Sequence, residues 1–390
     1  MHINQSKIEG LISELCPKGV EVFGLGSICK IETGRLNANA AVAGGDYLFF
    51  TTAKEISKID KYRWDTEALL VAGNANVGDV KHYIGKFEAY QRTYVLTNFF
   101  KKINVRFLYF VLKNNLQEFL KSNSNSAAMT YIVLSTLENF RIPVPPLPIQ
   151  EEIVKILDNF TELEVELEAE LEARKNQYEH YRNKLLTFGN DIEYNNLEHI
   201  FNFKNGYTPS KAKSKYWENG DIPWFRMEDI RSNGRILDKS IQCVNRSGVK
   251  GKGVFPKDSI IVATSATIGE HALITIPHLT NQRFVSLSIK DELKQKLNIK
   301  FLFYYFFVID EWCLKNTTKS SFSSVDMNGF RKFPIPIPPI SEQERIVSTL
   351  DKFDALVNDI SIGLPAELKA RRQQYEYYRN KLLTFKEYVG

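Results

Sequence analysis

The stretch Arg141–Phe188 constrains this chain most, because it is written twice. It reads RIPVPPLPIQEEIVKILDNFTELEVELEAELEARKNQYEHYRNKLLTF, and Phe333–Phe385 reads FPIPIPPISEQERIVSTLDKFDALVNDISIGLPAELKARRQQYEYYRNKLLTF. Each copy passes from a proline-rich lead-in through a charged pattern with spaced leucines to an aromatic, basic tail. The blocks before the two copies repeat as well. Leu25–Gly34 lines up with Leu197–Gly206, Leu69–Val80 with Ile260–His271, Ala89–Leu96 with Thr280–Leu287, and Lys102–Phe110 with Lys296–Tyr304. Such a chain folds as two halves of one plan. Between these anchors most residues differ. One scaffold used twice with different loops suits the reading of two different ligands; a duplication that simply drifted leaves the same pattern.

In the first copy, apolar residues fall at Ile153, Leu157, Phe160, Leu163, Leu167, Leu171, Tyr178, Tyr181 and Leu185, in steps that are mostly three or four. That spacing predicts a helix over Gln150–Phe188, with Glu162, Glu164, Glu166, Glu168, Glu170 and Glu172 solvating the other faces. At 1.5 Å per residue it would be about 58 Å long, more than one globular block needs. The second copy predicts a helix from Ser341 onward, with a stripe through Leu350, Leu364, Leu368, Tyr375 and Leu382. Two helices with one apolar stripe each bury those stripes against each other. The expectation is an antiparallel coiled coil closed by Leu157, Leu163, Leu167, Leu171, Tyr178 and Leu185 on one side, relating the blocks by a pseudo-two-fold. Two separate hairpin or partner-binding segments are the alternative.

The first arm carries ELEV-ELEA-ELEA at Glu162–Ala173; the second has Ile360–Pro365 instead and is about four residues longer, a stutter that keeps the apolar face. Pro365 can start a helical segment but not sit within one, so the second arm should bend or restart there. Pro143–Pro148 and Pro334–Pro339 read as rigid lead-ins to the arms, with a proline-recognition ligand as the alternative.

The blocks are rich in β-branched and aromatic residues with Gly and Asn punctuation, which reads as short strands and loops. Helices are expected at Ile8–Leu15 and Val105–Phe119. Phe301–Ile309 (FLFYYFFVI) is about half of what a membrane span needs and reads as a buried helix. The fold class is therefore α+β: two similar blocks separated by two long helices. The divisions fall at 1–149, 150–188, 189–340 and 341–390.

At 390 residues, 43% hydrophobic and 25% charged, the chain can form packed cores rather than a disordered coil. Its net charge of +5 is unevenly spread. Gln150–Phe188 holds ten acids against five bases and Ser341–Gly390 is balanced, so the two blocks carry about +10 and favour an anionic partner. Cys16, Cys29, Cys243 and Cys313 stand singly and read as buried free thiols. No apolar stretch follows a basic start near Met1, so a soluble, cytoplasmic protein with no membrane is expected.

The arm text, from IPVPPLPIQEEIVKILDNF to RNKLLTF and again from ISEQERIVSTLDKFDAL to RNKLLTF, resembles type I restriction-modification specificity subunits, over essentially the whole chain. NGYTPSKAKSKYWENGDIPWFRMEDIR (Asn205–Arg231) resembles a target-recognition sequence of that family. The resemblance implies a subunit that does no chemistry. Each target-recognition domain would read one half of a bipartite site in double-stranded DNA. The arms would set the spacing and dock two modification subunits, which carry S-adenosylmethionine and methylate adenine; restriction subunits complete the nuclease. The tetrapeptides would act as a ruler, each adding about 6 Å of helix.

The residues agree with a non-catalytic chain that holds no cofactor or metal. A flipped adenine needs a Pro-Pro-aromatic motif beside Asp or Asn, and Pro145-Pro146 and Pro338-Pro339 lack both partners. No phosphate-cradling glycine loop with the right spacing appears, and the six histidines form no ligand set. DNA reading needs cations for phosphates and amide or guanidinium groups for base edges. Candidates in the first block are Arg35, Lys54, Asn74, Asn76, Gln91 and Arg92. In the second they are Lys204, Tyr207, Lys211, Arg226, Ser265, Thr267, Gln282 and Arg283. The pair Gln-Arg recurs at Gln91-Arg92 and Gln282-Arg283, which favours scaffolding or phosphate contact there, since domains reading different sequences should differ where they read. The GNAN/TSAT difference is a better specificity candidate, with a simple tight turn at Gly78 and Gly269 as the alternative. Arg226 beside Trp224 and Phe225 is either an exposed reader or a core-edge ion pair with Glu228 or Asp229. A self-sufficient methyltransferase or nuclease, or a coiled-coil scaffold with no DNA role, are the rival functions.

Overall fold

The computed structural model describes residues 2–122, 131–251, 253–318, 323–358 and 362–388. The chain divides into two compact units, Met1–Glu166 with Lys369–Gly390, and Leu167–Leu368. The described residues form a mixed α and β fold.

The first unit runs α1 (His2–Leu15), β1 (Val22–Gly24), α2 (Leu25–Ile28), β2 (Lys30–Thr33), β3 (Tyr47–Phe50), β4 (Ser57–Ile59), β5 (Trp64–Ala72), β6 (Val80–Ala89), β7 (Thr93–Thr97), α3 (Val105–Ser122), α4 (Leu134–Glu138) and β8 (Arg141–Pro143), then the start of α5 (Leu147–Leu185). Six strands lie in the order β2-β7-β5-β6-β3-β4. Strand β5 is central and is buried from Ala68 to Ala72 on both faces. Alternate residues go to opposite sides. Leu69 and Val71 pack on Phe107, Val111 and Leu116 of α3. Ala68 and Leu70 join Phe50, Trp64 and Phe87 beneath the sheet.

The second unit continues with β9 (Tyr194–Asn196), α6 (Leu197–Ile200), β10 (Phe201–Asn205), β11 (Ile222–Phe225), α7 (Met227–Asn233), β12 (Ile236–Leu237), β13 (Cys243–Val244), β14 (Ser259–Ala263), β15 (His271–Ile274), β16 (Leu279–Thr280), β17 (Phe284–Ile289), α8 (Ile299–Lys315), β18 (Thr317–Thr318), β19 (Ser324–Val325), α9 (Met327–Arg331), β20 (Pro334–Pro336), α10 (Ile340–Asn358) and the start of α11 (Leu364–Leu382). Its main sheet is β10-β17-β14-β15-β12, the same plan. Both sheets include a parallel pair reached by a crossover, β3 on β6 in the first, where antiparallel β4 forms the edge, and β12 on β15 at the edge of the second. Ile260 and Val262 face α8, whereas Ile261 and Ala263 face Phe225, Met227 and Ile230. The three-stranded sheet β13-β11-β16, over the cluster Ile222, Trp224, Val244, Phe255 and Leu279, repeats the pairing of β4, β3 and the end of β6, since Phe225 pairs with Thr280 as Phe50 pairs with Ala89; what is new is α7, which follows β11.

The buried-helix expectation for Phe301–Ile309 holds in α8, and no described helix is long and apolar enough to cross a membrane. The proline lead-ins are more than rigid spacers. Pro143 and Pro334–Pro336 sit in two-stranded ladders, β8 on β1 and β20 on β9, before the arms begin at Leu147 and Ile340. Pro148 and Pro365 fall in the first turns of α5 and α11, where a missing N–H costs nothing. The second arm does restart at Leu364.

One device docks each arm to its block. Gln150 is fully buried; its Oε1 accepts from Asn104 N–H (2.8 Å) and its Nε2 donates to Lys102 O (2.8 Å) and Pro145 O (2.6 Å). Gln343 repeats this with Asn298 N–H (2.8 Å), Lys296 O (2.9 Å) and Pro338 O (2.8 Å). Asn104 and Asn298 in turn accept at Oδ1 from N–H groups of the first turns of α3 and α8.

Within the first unit, α5 packs antiparallel on α11: Phe160 meets the rings of Tyr375 (6.0 Å) and Tyr378 (5.7 Å), and Leu157 shares a cluster with Leu382. Within the second, α5 packs on α10: Tyr178 Oη donates to Asp354 Oδ1 (3.4 Å), Tyr181 stacks on Phe353 (5.5 Å), and Leu171 and Leu185 join Leu350. Leu167 and Leu364 are half-buried and Leu368 is buried. Leu163 is a correction, being 41% exposed. Six residues past Leu157, it lies about 120° round the helix from that side chain. Glu164, in line with Leu157, takes the inner position and pairs with Arg372 at 2.6 Å. The thiols are corrected in part: Cys29 and Cys313 are buried, Cys16 and Cys243 only half-buried. Burial pushes the Cys29 and Cys313 thiols up to about 12.

Candidate nucleic-acid interface

The turns that replace GNAN by TSAT have the same backbone. Ala75 and Ala266 are left-handed (φ +55° and +66°), as are Gly78 and Gly269 (φ +79° and +83°). A Cβ on Gly78 would approach Leu120 at 3.1 Å, and one on Gly269 would approach Leu314 at 2.8 Å, so both turns are pinned against the following helix. The tight-turn reading accounts for the glycines. It leaves the side chains to differ. Asn76 Nδ2 is committed to Thr52 O (2.7 Å), so it braces the first turn rather than facing outward. Asn74 bridges to Tyr131 and Ser265 to Ser324, so both stitch the turn to a later segment.

The recurring Gln-Arg pair holds these turns. Arg92 O accepts from Gly73 N–H (2.8 Å), and Arg283 O accepts from Thr264 N–H (2.9 Å). The main chain does the same work in both units, while both Arg side chains are exposed. Gln91 Nε2 donates to Asn37 Oδ1 (2.8 Å), and Gln282 Oε1 accepts from Thr208 Oγ1 (2.5 Å).

The first-unit candidates separate into two groups. Gln91 and Arg92 line a cavity of about 340 Å³ with Thr33, Gly73 and Tyr94. Exposed Arg35 adjoins them through the Leu36–Tyr90 bridge. Lys54 and Asn76 instead line a cavity of about 890 Å³ with Lys81, Arg106 and Lys113, which sequence reasoning missed. Asp79 sits among these cations, bonded to Lys81 (2.9 Å) and Lys113 (3.3 Å). Burial alone would raise its carboxyl, but the Lys81 hydrogen bond and the Lys113 charge hold it below the usual range. Arg106 is paired with Asp158 (2.7 Å).

The second unit gathers more of its candidates. A cavity of about 340 Å³ brings together Lys211, Arg226, Thr267, Gln282 and Arg283, with Arg231 and Asn281 added. Among its lining residues four are cationic and one, Glu228, is acidic. Arg231 was missed although it lies one helical turn past Met227 on α7; the signal was the charge on a seven-residue helix that opens with Arg226. Lys204 and Tyr207 lie outside this group. Lys204 Nζ rests 5.7 Å from the Phe255 ring centroid. Tyr207 packs on the Ile222–Trp224 cluster, its O accepting from Trp224 Nε1 (3.0 Å) and its Oη from Lys250 N–H (2.8 Å), so it is a packing residue.

Behind this cavity His278 is fully buried against Phe225 and Phe255 (ring centroids 5.8 and 5.7 Å), with Nδ1 3.0 Å from Ile276 O. Burial pushes its imidazole down to about 4, so it is neutral at ordinary pH. No group of His, Cys, Asp and Glu suited to a metal ion occurs among the described residues.

A family model described as the type I restriction modification DNA specificity domain matches residues 17–174 and again 189–370. The chain is 55% identical over 214 residues to the type I restriction enzyme EcoprrI specificity subunit of Escherichia coli, covering 53% of each protein. It is 37% identical over 269 residues to the EcoR124I/EcoR124II specificity subunit of E. coli, covering 65% of each, and 26% identical over 365 residues to the EcoDI specificity subunit, covering 81% of that protein. The matches thus span about half to two-thirds of the first two relatives. In fold, the crystal structure of a type I restriction-modification S subunit from M. genitalium compares at a TM-score of 0.56 and 17% identity, covering 93% of this chain and 96% of that one. A chain from the structural study of complex assembly and conformational transition of the type I R-M system compares at 0.64 and 14%, covering 94% and 98%. Two copies of one fold, each with a cation-lined loop cluster, are matched twice over by the same family model: the chain belongs to the type I restriction-modification DNA specificity family.

Proposed function

We propose that this chain is the DNA sequence-specificity subunit of a type I restriction-modification complex. The block 1–149 acts as one target-recognition domain and 189–340 as the other, each reading half of a bipartite site. The helices 150–188 and 341–390 form an antiparallel coiled coil with a pseudo-two-fold, set the spacer and dock two modification subunits. Those partners bring S-adenosylmethionine and the methyl transfer to adenine; restriction subunits join in the full complex. This chain contributes no catalytic group, holds no cofactor of its own and works in the cytoplasm. Its task is to place phosphates and base edges: Arg35, Lys54, Gln91 and Arg92 in one unit, Lys211, Arg226, Thr267, Gln282 and Arg283 in the other.

The observation that carries this reading is one scaffold built twice, with the same Gln-Arg brace under turns whose residues differ at Asn74/Ser265 and Asn76/Thr267. Sequence-independent holding recurs, and sequence-dependent reading varies. Methylated adenines mapped across a genome with and without this chain, its modification partner present throughout, test it. A gapped two-part motif that appears only with the chain is expected. Methylation without any gapped preference would refute the proposal.

A further inference from the structure

Resting on that function, we infer that Arg226 reads a guanine in the half-site of the second unit, taking O6 and N7 with its guanidinium fork, while Arg283 across the same cavity holds the adjoining phosphate.

Arg226 is set up from below. Its N–H donates to Asp229 Oδ2 (2.7 Å), and the other oxygen of Asp229 accepts from Ile241 N–H (2.6 Å). Asp229 is fully buried, so the backbone at Arg226 is fixed at the head of α7. The guanidinium carbon lies 5.5 Å from the Trp224 ring centroid, and Trp224 is itself anchored through Nε1 to Tyr207 O. A guanidinium over a Trp face is held there by the ring quadrupole.

The Nε donor of Arg226 is unused. The Arg226 side chain is 26% exposed, and its Nε is buried with no hydrogen-bond partner among the described residues. The nearest carboxylate oxygen, Glu228 Oε2, is 3.8 Å away on a side chain that is 61% exposed. This is longer than a hydrogen bond. A buried, unsatisfied guanidinium donor is costly unless a ligand supplies the acceptor. Arg226 is therefore ion-paired with Glu228 at its edge, and this loose pair leaves the Nε donor without a hydrogen bond.

The cavity has two walls of different origin. Gln282 and Arg283 belong to the pair that recurs in the first unit, so they serve a need both half-sites share, which the phosphodiester backbone supplies. Arg226 caps α7 and Arg231 stands on it, and this helix has no counterpart among the first unit's described elements: Phe225 pairs with Thr280 as Phe50 pairs with Ala89, so Arg226 takes the place that Thr51 holds in the first unit. A residue that differs between units is where two half-sites can be told apart. Among base edges, guanine in the major groove offers two acceptors that match a planar fork.

The test uses the full chain with its modification subunits and duplexes randomised in the second half-site, at several salt concentrations. Arg226→Gln and Arg226→Lys should both relax one G·C position by about 10- to 100-fold in preference while the other positions and the first half-site stay intact. Arg283→Gln should weaken all sites alike and lower the slope of log affinity against log salt by about one, leaving preference unchanged. If Arg226→Lys keeps full preference while Arg226→Gln loses only affinity and salt slope, Arg226 is a phosphate contact and the inference falls. It also falls if the relaxed position is not a G·C pair. Circular dichroism and retained reading of the first half-site separate these outcomes from misfolding, for which the Lys variant is the conservative control. Should the unmodified chain confer no gapped motif at all, the broader function fails instead.

Discussion

At the scale of single residues, the repeat exposes one polar substitution in a core. Val80 and Leu116 are buried together in the first unit. By the register of the repeat, His271 and Asp310 stand in their places in the second, with His271 Nδ1 2.6 Å from Asp310 Oδ2 and Arg235 3.3 Å from the same oxygen. His271 Nε2 and Asp310 Oδ1 have no partner among the described residues. A buried polar pair with unspent atoms is poor stabilisation. Asp310→Leu alone should destabilise by about 3 kcal/mol, whereas His271→Val with Asp310→Leu together should be neutral or stabilising by about 1 kcal/mol. Urea unfolding of the two variants checks this; a double variant as unstable as the single would show that the pair contributes net stability. His278 gives a pH signature in the same unit. Its folded pKa of about 4 lies below the ordinary 6.5, so between these values the unfolded chain binds the extra proton. Stability is then full above about 6.5 and falls as pH drops toward 4, by about 3 kcal/mol over the window. His278→Asn should flatten that part of the curve when unfolding is followed from pH 7 to pH 4.

At the scale of elements, the docking of each arm rests on one glutamine. Gln150 and Gln343 each satisfy one N–H and two carbonyls at the start of an arm, and both are fully buried. Prolines leave those carbonyls accessible while starting the helix. The pattern Pro-Pro followed four residues later by Gln was visible twice in the sequence. Its meaning was not, because the partners lie some 45 residues upstream and meet only in the folded unit. The arms also show where periodicity misleads. Counting leucines put Leu163 inside, but at 3.6 residues per turn three-residue steps drift backward, and Glu164 holds the inner line instead.

At the scale of the whole molecule, the proposed ruler yields a length prediction. Deleting one tetrapeptide, Glu166–Ala169, shortens α5 by about 6 Å. The preferred spacer between half-sites should shorten by about one or two base pairs, with both half-site sequences unchanged. Methylation mapped on duplexes of graded spacer length measures it; an unchanged spacer would remove the arm from that role. Sequence alone determined the duplication, the long helix, the second arm's restart beside Pro365, the buried α8 and the strand-rich blocks, because each follows from local periodicity, from proline geometry or from repetition along the chain. Tertiary structure decided the site. Lys54 and Asn76 belong to a different cavity from Gln91 and Arg92, Tyr207 is packing, and Arg231 joins Arg226 and Arg283. Chemistry could be read from residue type, but convergence could not. Which cations face one cavity depends on strand register and on the α7 insertion, and both are fixed by contacts between residues tens of positions apart.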